Sequence, residues 1–151
     1  MSPGGTLNMA NWWNLTPQFD GLYDFQGATR PAWFAFLMLG RLTGNRLETS
    51  GDDARARVMA SWDEAQKMVH ALVWNFSLQP PPAQQVRLAF QNLNGRRWAL
   101  RRFNLDAATA SNQENDPLRM ERNDAIEGAA AEDSFELPPY GVALVSLRRV
   151  K

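Results

Sequence analysis

Apolar residues fall along this chain in two textures: a helix-length run before residue 45, then short blocks separated by turn residues from Arg46 onward. In the first part Leu7, Met9 and Trp13 alternate with polar positions ahead of Thr16 and Pro17, which predicts a short strand ending at the proline. A loop through Gly21 and Gly27 follows. Thr29 to Pro31 then marks a helix start, with Pro31 in the first turn and Gly44 as the stop. Trp33, Phe34, Phe36, Leu37, Met38 and Leu39 cover nearly the whole circumference of that helix rather than one stripe, the pattern of a helix buried on several sides. A chain of 151 residues has little material to surround it, so the helix is expected to pack inside something larger or under another chain.

The second part predicts an antiparallel sandwich. RLET, ARVMASW, MVHALVWNFS, VRLAFQNL, RWALRRFNL, SFELP and YGVALVSLRR each read as a strand, at the spacing such folds show. Asn94-Gly95 predicts a type I′ hairpin between VRLAFQNL and RWALRRFNL. The helix-favouring residues between Gly51 and Trp74 allow one long helix there. Two strands joined near Asp63 to Gln66 are preferred, because Val69, Leu72, Val73, Trp74 and Phe76 form a dense β-favouring run. Residues 107 to 133 are polar and alanine-rich, with only Leu118, Met120 and Ile126 to bury, and read as a long loop with at most a helical turn. The expected fold class is therefore mainly β, a jelly-roll or immunoglobulin-like sandwich with one apolar N-terminal helix.

Charge narrows the partners. Sixteen basic side chains balance sixteen acidic ones, leaving no global field to recruit nucleic acid or an anionic membrane surface. No apolar run approaches the ~20 residues that span a bilayer, and Met1 to Asn11 lacks a signal-peptide pattern, so a soluble protein is expected. With no cysteine there are neither disulfides nor thiolate metal sites, which fits a reducing cytoplasm and many periplasmic proteins alike. No cofactor or metal is expected.

Four stretches, in order, resemble the C-terminal end of family 39 glycoside hydrolases of the β-xylosidase type, in clan A. LNMANWWNLTPQFDGLYDFQGATRPAWFAFLMLGRLTGNRL is similar to the family's passage from barrel strand 8 to helix 8, through Trp13, the FDGLYDFQG loop and Arg30-Pro31-Ala32-Trp33. ALVWNFS resembles a sandwich strand of the family, NLDAATASNQENDP a following segment through Asp106, Ser111 and Asn112, and SFELPPYGVALVSL the closing strand. Two details depart from the family: Pro17 stands where an acidic residue or serine is common, and Asp116-Pro117 replaces a tryptophan-to-proline motif. The resemblance implies that residues 1–45 are the last strand and helix of a TIM-barrel-like unit and residues 46–151 an accessory β-sandwich. Its two catalytic glutamates lie on barrel strands 4 and 7, upstream of these residues, so no self-sufficient catalytic site is expected here. A full barrel needs about 250 residues.

Retaining glycosidases require two carboxyl groups about 5 Å apart. Asp52 with Asp53 and Asp63 with Glu64 are adjacent carboxylates, but both pairs sit in hydrophilic turns and read as solvated charges. Trp12 and Trp13 are the candidate substrate-binding residues, since an indole stacks on the apolar face of a sugar and the family's strand-8 tryptophan floors the subsite for the cleaved sugar. Trp62, Trp74 and Trp98 offer a carbohydrate platform but read first as core. His70 is alone, so neither a zinc site nor a Ser-His-Asp system is completed around it; it reads as a strand residue facing solvent or a satisfied partner. Arg96, Arg97, Arg101 and Arg102 suggest phosphate contact or, as the alternation with Trp98 and Leu100 favours, the polar face of a half-exposed strand. The sequons at Asn14 and Asn75 carry no weight.

The functional expectation is thus a non-catalytic accessory part of a family 39 hydrolase that supports or borders a catalytic barrel, with xylan-type or other polysaccharide as its partner through that barrel. The alternatives are an independent carbohydrate-binding module and a structural sandwich that forms homo-oligomers through its apolar helix.

Overall fold

A computed structural model describes residues 21–51, 56–94, 96–108 and 118–150. The expected strand between Leu7 and Thr16 lies outside them. Pro31 opens helix α1 (Pro31–Gly40) at its first position, where the missing N–H is no loss. The helix ends before Gly44, whose φ of 84° turns the chain into β1 (Asn45–Leu47). A Cβ on Gly44 would stand 2.1 Å from the Trp62 carbonyl oxygen, so only glycine allows β1 to close on its neighbour.

The strands that follow are β2 (Ala56–Asp63), β3 (Met68–Asn75), β4 (Gln84–Phe90), β5 (Arg96–Leu105), β6 (Arg119–Gly128), β7 (Ala131–Leu137) and β8 (Val142–Arg149). Six form one antiparallel sheet in the order β1-β2-β3-β8-β5-β6, and β4 pairs with β7 in a second. The fold is mainly β, as the sequence predicts, with two sheets facing each other across a core.

Alternation along the strands builds that core. Val69 and Val73 of β3, Trp98 and Leu100 of β5, and Ala143, Val145 and Leu147 of β8 meet Val86 of β4 and Ala131, Phe135 and Leu137 of β7. The intervening residues of β3, β5 and β8 point to the outer face of the large sheet, where α1 lies. Met38, fully buried, packs there on Leu72, Leu105 and Leu144, with Phe34, Trp74, Phe103 and Val142 around it. The molecule is therefore layered as helix, large sheet and small sheet, with one apolar core on each side of the large sheet.

Two sequence expectations are corrected. Asn94 has the positive φ, 57°, that a tight turn needs, yet β4 and β5 are not a hairpin: β4 pairs with β7, and the chain crosses from one sheet to the other at that turn. The inward residues Val86, Leu88 and Phe90 match Phe135, Asp133 and Ala131 across β7, and this shared face outweighs the local turn signal. The segment read as a loop over 107–133 contains all of β6 and the start of β7. β6 is an edge strand whose described side chains are mostly exposed, so its stability comes from backbone pairing with β5 and it carries no apolar alternation to read. The β2–β3 hairpin, by contrast, turns at residues 64–67 as predicted.

Candidate functional site

Trp12 and Trp13, the tryptophans expected to face a sugar, lie outside the described residues, as do Asp52, Asp53, Ser111 and Asn112. The other candidates are placed by the sheets.

Trp98 is 5% exposed and donates its indole N–H to the Leu93 carbonyl at 3.2 Å. Trp62 packs against the same core, edge-on to Trp98 with ring centroids 6.4 Å apart, and donates to Glu64 Oε2 at 2.6 Å. Neither offers a ring face as a sugar platform; both are core residues, the preferred expectation. Trp74 sits on the outer face of the sheet, beside α1.

Asp63 and Glu64 are not a pair of solvated charges. Asp63 is buried and ties the α1–β1 connection to the β2–β3 turn: its Oδ2 accepts from Thr43 Oγ1 at 2.6 Å and its Oδ1 from the Gln66 N–H at 2.9 Å. These bonds, that from Thr43 first, keep its carboxyl below the usual carboxylate range. Glu64 is exposed and pairs with Lys67 across the turn. Two roles in tying a hairpin leave no acid and base facing each other.

The arginines divide by face. Arg97 reaches Glu127 at 3.6 Å and Arg101 donates to Asn123 at 3.2 Å on the outer side of the sheet. Arg102, one residue on, turns inward: it meets Asp133 at 2.7 Å and lies over the Phe135 ring, 4.4 Å from its centroid. Arg122 reaches the same carboxylate oxygen at 2.7 Å. Asp133 is fully buried, so this triplet is an internal strut between β5, β6 and β7. The side chain of Arg96 is outside the described set.

His70 corrects one of its two expected settings. It does not face solvent; it is 4% exposed, with Nδ1 at 2.8 Å from Ser146 Oγ. Burial, reinforced by Arg41, pushes its pKa down against the opposing pull of Asp63.

A concavity lies where α1 crosses the ends of β3 and β8. It encloses about 280 Å³ and is lined by Ala35, Leu39, Trp74, Phe76, Tyr140 and Val142, among others. Phe76 and Tyr140 stand at its rim, 59% and 48% exposed, edge-to-face with centroids 6.0 Å apart. Tyr140 has φ of 58° in the turn that the Gly141 N–H closes on the Pro138 carbonyl, an unusual conformation for so bulky a residue. Asn75 underlies the rim. At 1% exposure its Nδ2 lies 2.9 Å from the Pro82 carbonyl oxygen, 3.3 Å from that of Leu137 and 3.2 Å from that of Pro138, and its backbone N–H bonds Gly141 O at 3.0 Å. A side chain so enclosed is no glycosylation acceptor. The sequence singled out Asn75 only as part of ALVWNFS and of a sequon and did not reveal the groove, because its walls come from three separate stretches.

Among the described residues no group of three histidine, cysteine, aspartate or glutamate side chains is placed to hold a metal ion, and no helix is long and apolar enough to cross a membrane.

No family model matches the sequence, and no curated protein matches it significantly. Solved structures do match in fold. A glucosidase from Croceicoccus marinus aligns over 88% of this chain and 34% of its own, with a TM-score of 0.68 and 17% identity. A GH30 endoxylanase from Clostridium papyrosolvens C71 aligns over 88% and 31%, with a TM-score of 0.64 and 12% identity. A protein of Neocallimastix frontalis aligns over 85% and 33%, with a TM-score of 0.63 and 14% identity. The chain spans about a third of the length of these structures. Its helix and two sheets are thus a glycosidase-related fold, similar to a portion of such enzymes.

Proposed function

We propose that this chain is the C-terminal accessory part of a glycoside hydrolase of the family 39, β-xylosidase type, with residues 1–45 the last strand and helix of a barrel and residues 46–151 an accessory sandwich that supports or borders the catalytic unit. The observation that carries this is the apolar surface that α1 leaves exposed on either side of Met38. Met38 is wholly buried on the sheet, while Leu37 and Leu39 beside it are 39% and 38% exposed. A helix seated on a sheet with apolar flanks left exposed is suited to a further layer that covers them. The family resemblance implies a barrel as that layer, and the reading is supported by solved glycosidases of which this chain matches only about a third. Substrate in this reading is a xylan-type or related polysaccharide, met by the barrel and by Trp13, with Trp12 beside it, rather than by the sandwich.

The test is reconstitution. A family 39 barrel truncated after its seventh strand–helix unit keeps both catalytic glutamates; mixing it with this chain should raise its xylosidase activity, and Leu37→Glu with Leu39→Glu should abolish the gain. No gain with the unaltered chain, or an equal gain with the variant, argues against the proposal.

The same exposed face favours a second reading, a homo-oligomer joined through α1. Light scattering distinguishes it, since a chain that stays monomeric at high concentration is not covering this face with its own copy. A free-standing carbohydrate-binding module is less well supported, because Trp62 and Trp98 are in the core; a flat tryptophan-fluorescence titration with xylo-oligosaccharides would dispose of it.

A further inference from the structure

The outer face of the large sheet is divided by rows. One row runs Met59, Leu72, Leu144, Phe103 across β2, β3, β8 and β5, and its Leu72, Leu144 and Phe103 belong to the apolar seat of α1. Two residues along, the neighbouring row takes one residue from every strand: Arg46, Ser61, His70, Ser146, Arg101 and Asn123 are directly opposite one another in turn. All six are polar. The outer members, Arg46, Arg101 and Asn123, are exposed, whereas Ser61, His70 and Ser146 are 4%, 4% and 8% exposed.

The connection from α1 to β1 borders the buried part. Leu42 packs into the core under the helix, Thr43 is tied to Asp63, and Gly44 lies against the Trp62 carbonyl. Ser61 Oγ, directly opposite His70, has no hydrogen-bond partner among the described residues. An apolar residue at position 70 would fill the same space without desolvating an ionisable ring.

We infer that His70 is a pH-sensitive latch: while its imidazole is neutral, α1 and the α1–β1 connection stay seated on the sheet, and protonation loosens them. Burial first, and then Arg41, sets the direction, against the pull of Asp63. Arg41 at the end of α1, Arg46 of β1, Arg101 of β5 and Arg148 of β8 are cationic and lie on or beside this face; Asp63 of β2 is the acid opposing them, and Glu64 is taken up by Lys67. An imidazolium placed there loses its water and gains one carboxylate already bonded to Thr43 and Gln66. The depressed pKa has the matching sign: the neutral form is favoured in the folded state, so stability is present above the ordinary value of 6.5 and declines as pH falls below it toward the folded value. Once loosened, the helix uncovers Leu72, Leu105 and Leu144.

Hydrogen exchange read by mass spectrometry on the full chain, with intrinsic rates corrected for pH, tests the latch. Between pH 7.5 and 5, segment 31–47 should lose protection, by on the order of tenfold for each unit by which folding depresses the imidazole, while β4 and β7 keep theirs. His70→Gln should abolish the acid loss in 31–47. Arg41→Gln, which leaves the row intact and removes a repulsive charge, should make the loss smaller than in the wild type. Loss spread evenly over β4 and β7, an unchanged loss in His70→Gln, or, should that variant not fold, an undiminished loss in Arg41→Gln overturns the inference.

Discussion

Replacing Asn75 with alanine tests how the rim of the groove is held. The Asn75 amide, 1% exposed, serves the Pro82 carbonyl after β3 and the Leu137 and Pro138 carbonyls at the end of β7. An amide nitrogen carries two hydrogens, so two of these bonds are strong at once and the third is shared. Alanine removes both donors, leaves buried carbonyls without partners at about 1–3 kcal/mol each, and opens a small void. Because the loops can relax outward at one end of the sandwich, we expect about 2–4 kcal/mol in total. For a domain of this size that lowers Tm by about 4–16 °C, and with a urea m-value of about 2 kcal/mol per M it moves the midpoint down by about 1–2 M without changing m. Asn75→Asp sharpens the test, since a carboxylate aimed at three carbonyls is worse than an amide at neutral pH. Its folded pKa must be raised, so the variant should regain stability as pH falls toward the unfolded value near 3.9. A loss below about 0.5 kcal/mol in the alanine variant, or an aspartate variant that does not recover in acid, would refute the assignment of Asn75 as the tie between these loops.

Other substitutions probe the two cores. Met38→Ala, at the one fully buried position of α1, should cost about 2–5 kcal/mol in chemical denaturation. Asp133→Ala leaves the guanidiniums of Arg102 and Arg122 facing a site with no carboxylate and should cost about 3–5 kcal/mol by the same measurement. Gly44→Ala forces a side chain into the Trp62 carbonyl at a positive φ, and calorimetry should show a loss above about 2 kcal/mol.

What the sequence revealed followed from patterns confined to one element. Pro31 and the all-round apolar run located α1, of which Met38 is buried while Leu37 and Leu39 stay 39% and 38% exposed. The β-branched run through Val69 and Val73 correctly outweighed the helix-favouring residues before it, and SFELP alternated cleanly because β7 has one face in the core. Pairing was harder. Asn94 adopts a turn conformation, but which strand lies beside β4 depends on inward faces distant in sequence, Val86 opposite Phe135 and Leu88 opposite Asp133. β6 was hidden because an exposed edge strand sets few apolar side chains against the core, here Ile126, too few to alternate. Adjacent arginines had opposite fates: Arg101 bonds Asn123 outside and Arg102 reaches Asp133 inside, a distinction of strand phase that residue type does not carry. The groove at Phe76 and Tyr140 was not legible at all, since it exists only where β3, β8 and α1 meet.

In the proposed function these residues frame a hydrolase without supplying its acid and nucleophile. Assaying the purified chain against an aryl β-xyloside tests it most directly. The account predicts no turnover above the uncatalysed background; hydrolysis at about 1 per second or faster, in the ordinary range for enzymes, that survives purification and follows the protein through the column would contradict it.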